Sequence, residues 1–302
     1  MHVRTRKLLF WIAYACILVI ATVTLLYSFG YRYSNGNIVL TGGLFIYATP
    51  TTDVSLYLDN VFVESSSLIN RTTFIQSLTP GEYTLRAERE GFHTWEKTLD
   101  VKPELVTEVR PVLVHDTPSL EILIRGEFSD IRPWSTEVVE LIDQKNNRQF
   151  FNVSAGEFVA SSTVAASATP MVIDSGLAQL IASTTSHDAV VDAAQDTFAW
   201  AENGVVFVSR DPSAPEPYYG GGRTESVYTS EFPIKQLFFY PRRDALIATE
   251  GYQVVIIELD GRGGHIVTPM YKGKNPKVII PDPSKRDMYI FDDGALIHLE
   301  LN

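Results

Sequence analysis

The stretch IKQLFFYPRRDALIATEGYQVVIIELDG, residues 234–261, holds three apolar runs separated by Pro-Arg-Arg-Asp and by Glu-Gly. Short runs rich in Ile, Val, Leu and Phe, bounded by turn residues, read as β-strands joined by tight turns. The same order recurs upstream in AVVDAAQDTFAWAENGVVFVSRD, residues 189–211, and downstream in PKVIIPDPSKRDMYIFDDGALIHLEL, residues 276–301. Each copy reads strand, turn, Asp, strand, acidic-Gly or similar turn, strand. The marker aspartates Asp196, Asp244 and Asp287 stand 48 and 43 residues apart.

A period of about 45 residues with three or four strands per unit is the signature of a β-propeller blade. Residues 115–302 are therefore expected to form a β-propeller-like repeat domain. Its length accommodates about four units, the lower end of the usual range. WSTEVVELIDQ, residues 134–144, fits the last two strands of an earlier unit, and residues 171–184 fill another gap. The final unit stops on its third strand, ALIHLELN, which leaves an edge that needs a partner. Residues 121–124, inside SLEILIRG, are expected to supply it by pairing with residues 295–301.

Further toward the N-terminus the period is two. Seven short strands are expected, starting with LFIYA at Leu44 and ending with LVTEVRPVLV at Leu105. In EYTLRAERE, Tyr83, Leu85 and Ala87 share one face while Thr84, Arg86 and Glu88 share the other, the pattern of a half-buried antiparallel strand. Seven such strands over residues 42–114 argue for a small β-sandwich with Tyr83 and Trp95 in its core. The stretch LTPGEYTLRAEREGFHTWEKTLDV, residues 78–101, together with Thr41-Gly42-Gly43-Leu44 and VSLYLDN, resembles the PEGA domain, a small β-sandwich of bacterial and archaeal envelope proteins. The tetrad that names that family reads Pro50-Thr51-Thr52-Asp53 here, so only its first residue is kept, while Pro80-Gly81-x-Tyr83 and Gly91-Phe92-x-x-Trp95 are intact. The resemblance implies a surface module without chemistry of its own.

The N-terminus carries a different signal. Residues 8–29, from Leu8 through Trp11 to Phe29, contain no charge and no proline. At 1.5 Å per residue they reach about 33 Å, enough for a hydrocarbon core of about 30 Å. A single-pass membrane anchor is expected. Arg4, Arg6 and Lys7 precede it and only Arg32 follows closely, which places the N-terminus in the cytoplasm and the rest outside the cell membrane. Trp11 and Tyr14 at one end, and Tyr27, Tyr31 and Tyr33 at the other, suit the interfacial belts. A cleaved signal peptide would need small residues in an A-x-A-like site, and Tyr27-Ser28-Phe29-Gly30-Tyr31 offers none. Cys16, the sole cysteine, sits inside the span, so the exported part has no disulfide. The organisation read is a tail at 1–7, a transmembrane helix at 8–29, a stalk at 30–41 with turns at Asn35-Gly36 and Gly42-Gly43, the sandwich at 42–114 and the repeat domain at 115–302.

A net charge of -11 argues against nucleic acid as a partner. No constellation of catalytic residues emerges. The histidines lack HExxH spacing, no Gly-x-Ser-x-Gly turn is present, and Gly220-Gly221-Gly222 follows no strand and opens no helix, which reads as a flexible loop and not a phosphate cradle. Asp282-Pro283-Ser284 and Asp292-Asp293-Gly294 read as turns in which carboxylates bond nearby amides, since a calcium site would need more converging oxygens. No cofactor and no metal site is expected. Tyr218, Tyr219 and Tyr228 around the glycine loop are the candidate contacts for a sugar ring or protein partner. The function expected is a non-catalytic membrane-anchored envelope protein, its sandwich a spacer or wall-contacting module and its propeller a protein- or glycan-binding scaffold. An extracytoplasmic hydrolase or lyase with its site on a propeller face is the alternative.

Overall fold

The computed structural model describes residues 3–34, 36–48, 53–65, 72–160, 189–192, 196–241, 244–282 and 286–301. The unit expected at 171–184, Asn35, Pro50-Thr51-Thr52, His187 and Pro283-Ser284 lie outside the described residues. By contact the chain divides into two units, Met1–Ala87 with Glu96–Pro111, and Glu88–Trp95 with Val112–Asn302.

The first unit begins with helix α1 (Val3–Ser28), uninterrupted by Gly or Pro, followed by the hairpin β1 (Tyr31–Ser34) and β2 (Asn37–Leu40). Then come β3 (Gly42–Tyr47), β4 (Ser55–Leu58), β5 (Val61–Ser65), β6 (Thr72–Leu78), β7 (Gly81–Glu88), β8 (Trp95–Val101) and β9 (Val106–Val109). They form a three-stranded sheet ordered β6-β3-β9 and a four-stranded sheet ordered β5-β4-β7-β8. Alternation sets the faces. In β8, residues 95, 97, 99 and 101 are buried and those between them exposed, and Leu85 and Ala87 of β7 are buried in the same rhythm. The β4–β5 connection takes Asp59 at φ 49° and Asn60 at φ 65°, the pair of left-handed residues that a type I′ hairpin requires.

In the second unit the strands are β10 (Glu121–Arg125), β11 (Phe128–Pro133), β12 (Val138–Asp143), β13 (Arg148–Asn152), β14 (Glu157–Val159), β15 (Val190–Val191), β16 (Thr197–Glu202), β17 (Val205–Arg210), β18 (Thr224–Thr229), β19 (Ile234–Phe239), β20 (Ala245–Glu250), β21 (Gln253–Glu258), β22 (Val267–Lys272), β23 (Lys277–Ile279), β24 (Asp287–Asp292) and β25 (Ala295–Glu300). They make four sheets of four strands, β11-β12-β13-β14, β15-β16-β17-β18, β19-β20-β21-β22 and β10-β25-β24-β23. Asn203-Gly204 and Asp293-Gly294, all at positive φ, turn two of the hairpins. The pairing expected between residues 121–124 and the last strand is present, with Glu121 opposite His298 and Ile122 opposite Ile297. Apolar cores join the sheets in series. Ile131, Val139 and Phe151 pack with Tyr289 and Leu296. Val278, Met288 and Ile297 pack with Ile247 and Ile256. Leu246 and Val255 pack with Val206 and Val208.

Three expectations need correction. The β-propeller is not found: the strands form separate sheets of two to four strands and none closes. Among the described residues no buried apolar cluster joins the β11–β14 sheet to the β15–β18 sheet. A repeat of about 45 residues specifies a four-stranded meander, but which meanders share a core is decided by side chains far apart in sequence.

The PEGA-like antiparallel sandwich is likewise replaced by one four-stranded sheet and one mixed sheet, in which β9 runs parallel to β3. Period-two alternation identifies a strand and its faces, not its direction or its neighbour.

Trp95, expected with Tyr83 in the first core, belongs by contact to the second unit. There its indole Nε1 donates to the buried Glu258 Oε2 at 3.1 Å. The 88–95 segment is held in that unit by His93 N donating to Val114 O at 2.8 Å and Asp116 N to Gly91 O at 3.1 Å, and the Phe92 and His115 ring centroids lie 3.9 Å apart. Tyr83 is half-buried, and its hydroxyl bonds the Thr79 carbonyl at 2.9 Å.

Candidate functional site

Within α1 the stretch Leu9–Ser28 is apolar, long enough to cross a membrane, and not buried by the described residues. Leu8 lies in the helix, Trp11 is exposed on it and stacks edge-on with Phe10 and Tyr14, and Phe29 is exposed just past its end. The hydroxyls of Thr22 and Thr24 donate to the carbonyls of Leu18 and Ile20, so neither presents an unpaired donor. A helix satisfies its own backbone, and a fully apolar exposed one suits a hydrocarbon surround.

Around the glycine loop the tyrosines are tied inward. Arg210, at the end of β17, is almost fully buried; it donates to Gly222 O at 2.8 Å, to the Tyr219 hydroxyl at 2.9 Å and to Glu225 Oε1 at 2.8 Å. Burial works against the Arg210 charge, but Tyr219 and Glu225 outweigh it and raise its pKa. Burial is also what raises the Tyr219 pKa, against the pull of Arg210. Gly221 has φ +111°, and a Cβ there would stand 3.0 Å from Glu225 Oε1 and 3.3 Å from Arg210 Nη1. The glycine run therefore wraps the guanidinium closely, and at Gly221 the positive φ favours a residue without a side chain.

Tyr218 meets the Tyr219 ring edge-on, and the Arg262 guanidinium, itself bonded to both Asp260 oxygens, lies 5.5 Å from the Tyr218 ring centroid. Tyr228 donates its hydroxyl to Glu250 Oε1 at 3.0 Å, and its pKa is raised by burial and by that carboxylate. Tyr218 and Tyr219 are thus neighbours, whereas Tyr228 is engaged separately on β18.

The turn carboxylates do structural work at longer range than expected. Asp292 accepts from Tyr271 Oη at 3.0 Å and from the backbone nitrogens of Lys274 and Asn275, closing a loop about eighteen positions upstream instead of its own turn. Asp192 Oδ1 accepts from the nitrogens of Asp196 and Thr197. Among the described residues no group of three His, Cys, Asp or Glu converges to hold a metal ion.

Two open clefts escaped the sequence reading. One of about 420 Å³ is lined by Phe128, Asp130, Lys274, Asn275 and Lys277 among others. Its Lys277 Nζ is spent on Asp130 Oδ1 at 2.6 Å and Ile131 O at 2.7 Å. Burial opposes the Asp130 charge, yet the Lys277 bond and charge hold its pKa below the ordinary carboxylate value. The other, about 410 Å³, lies beside Phe232, Pro233 and Gly204. No local motif announces a lysine and an aspartate 147 positions apart.

No protein-family model and no curated protein sequence matches this chain. Among solved structures it is similar to "AfRom2 CNH domain", at 11% identity over 80% of this chain and 70% of that one, with a TM-score of 0.24. It is similar to a structural genomics protein of unknown function from Bacteroides thetaiotaomicron VPI-5482, at 11% identity over 80% of this chain and 60% of that one, TM-score 0.25. A third is an auxiliary nutrient binding protein from Bacteroides ovatus ATCC 8483, at 9% identity over 86% and 70% of the two chains, TM-score 0.22. Superpositions this loose carry no functional argument. The PEGA resemblance, read from residues 41–44, VSLYLDN and residues 78–101, is supported by no family model. A wall-contacting PEGA module bearing a propeller scaffold for proteins or glycans, and a hydrolase or lyase site on a propeller face, fall with the folds they required.

Proposed function

We propose that this protein is a single-pass, membrane-tethered, mostly β, non-catalytic module. Its N-terminal tail, residues 1–7, is cytoplasmic, residues 8–29 span the membrane, residues 30–41 are the stalk, and the β units stand outside. The observation that carries the reading is the exposure of every apolar side chain described between Leu9 and Ser28. A core helix of the same composition would be covered by its own protein. The orientation rests on Arg4, Arg6 and Lys7 before the span. The half-buried Tyr218, Tyr219 and Tyr228 are the residues at which a partner outside the membrane is sought first.

Protease added to sealed right-side-out membranes should remove nearly all of the mass and leave a short membrane-bound fragment, while alkaline carbonate should not extract the intact chain. Protection of the C-terminal region refutes the orientation. Extraction by carbonate refutes the anchor itself.

A further inference from the structure

We infer that the end of the first unit nearest the helix exit is a lipid-interface seat, in which the β1–β2 hairpin and the turn before β9 bed into the headgroup layer; this rests on α1 crossing the membrane. The joint is rigidly bonded. Phe29 N donates to Leu25 O at 2.9 Å, extending the helical ladder, and Thr41 donates to Gly30 O through both its nitrogen and its hydroxyl, at 3.0 and 2.9 Å. Glu104 N donates to Thr41 O at 3.1 Å, and Gly43 N to Leu105 O at 3.0 Å. Gly42 runs so close to the Lys102 carbonyl that a Cβ has no room. Arg32 locks the same corner, donating to Tyr27 O at 2.8 Å and Ser77 Oγ at 3.0 Å with its guanidinium 3.5 Å over the Tyr27 ring. Helix end, hairpin base and the 102–106 turn therefore hold fixed positions relative to one another.

Around this joint apolar side chains stand uncovered: Phe29 at 71% exposure, Tyr33 at 78%, Ile38 at 65%, Leu105 at 56% and Val106 at 54%. Tyr33 and Ile38 are directly opposed across the hairpin and so share one face. They lie two residues beyond Tyr31 and Leu40, about 7 Å at 3.3 Å per residue. The headgroup layer on each side of a bilayer is about 5 to 8 Å thick. Leu105 is one hydrogen bond from Gly43, which adjoins the Thr41 joint. The set thus borders the layer that begins where α1 ends, Tyr33 lying three residues past Gly30 and so at most about 10 Å from it. Lys102 and Glu104, both exposed in the same turn, bring one charge of each sign to it. Lipid is the occupant because the seat is continuous with the surface that the span already occupies.

The test uses the full chain with Cys16→Ser, one chain per lipid nanodisc so that a second copy cannot cover the patch. Nitroxide labels go singly at Ile38→Cys, Leu105→Cys and, as a repeat on the same face, Tyr33→Cys. Ile20→Cys reports the span, and the exposed Tyr252→Cys provides the aqueous reference. Accessibility to a water-soluble nickel chelate should be several-fold lower at 33, 38 and 105 than at 252, with the lowest value at 20. Nickel accessibility at 33, 38 and 105 equal to that at 252, with 20 still protected, overturns the seat and leaves the anchor standing. If 20 is also as accessible as 252, the span and the seat fall together.

Discussion

Along α1 the side chains of Phe10, Ile17, Ile20 and Val23 are exposed, whereas Leu246 and Ile247 of β20 and Val254 and Ile257 of β21 are fully buried. Both regions are rich in Ile, Val and Leu, so apolar content alone does not decide where they end up. The helix has already bonded its own backbone and needs no neighbour to enter an apolar solvent. The two strands depend on β19 and β22 for hydrogen bonds and on two different cores for cover, Ile247 and Val254 facing one and Leu246 and Val255 the other. Buried on both faces, they read as continuous apolar runs without alternation, which is how a covered central strand should read.

The largest break in this comparison comes from charge in the helix. Replacing Leu18 and Ile20 by Arg should cost about 2.5 to 3.5 kcal/mol each at the helix centre. The chain should then shift from the membrane to the soluble fraction with the melting of its β units unchanged, as read by flotation and by far-ultraviolet circular dichroism. Second is the strand side of the comparison. Leu246→Ala, at a site with no exposure, should destabilise the second unit by about 2 to 5 kcal/mol, measured as a lowered urea midpoint, and leave flotation as it was. If Leu246→Ala also released the chain, the anchor would depend on the second unit and the contrast between the two apolar regions would dissolve.

What could be read in the sequence follows the range of the interaction. The apolar helix was legible because twenty-two successive residues without charge is a local fact, and so were the strands, their inward faces and the Asn203-Gly204 and Asp293-Gly294 turns. The pairing of residues 121–124 with the segment 295–301 was legible for another reason: an edge strand without a partner implies one. Trp95 was misplaced because the alternation of β8 assigns it to the inward face without saying which unit that face serves; its indole bond is to a residue 163 positions on. The same alternation does put Lys97 inward, where a lysine is not otherwise expected, and it is buried in β8. Arg210 looks in sequence like a polar residue at a strand end, and its burial depends on a hydroxyl, a carboxylate and a carbonyl that the glycine loop brings back to it.

Third in size is the indole bond. Trp95→Phe keeps an aromatic ring but leaves the buried Glu258 without that donor, and removing one partner of a buried hydrogen bond costs about 1 to 3 kcal/mol. The loss should appear in the unfolding of the second unit, and Glu258→Gln added to Trp95→Phe should cost less than the sum of the two single changes. Additive costs would mean that the side chains do not meet in solution.

The smallest effect is a slope in alkaline solution. Burial first, then the hydrogen bond to Asp292 and the charge of that carboxylate, pushes Tyr271 up to about 12 from an ordinary value of 10.0. An unfolded chain releases this proton near pH 10, while the folded chain keeps it until about 12. The folded state therefore holds more protons across that window, and the stability present below pH 10 falls as pH rises toward 12. Tyr289, also pushed up to about 12, by burial and then by Asp287, adds a second contribution with the same sign. Tyr271→Phe removes one of the two. Its urea midpoint should accordingly decline less steeply than that of the native chain between pH 10 and 12, with both chains parallel below pH 9. Equal slopes throughout would show that the Tyr271 hydroxyl is not held against Asp292, and that the loop at 274–275 is closed by its backbone nitrogens alone.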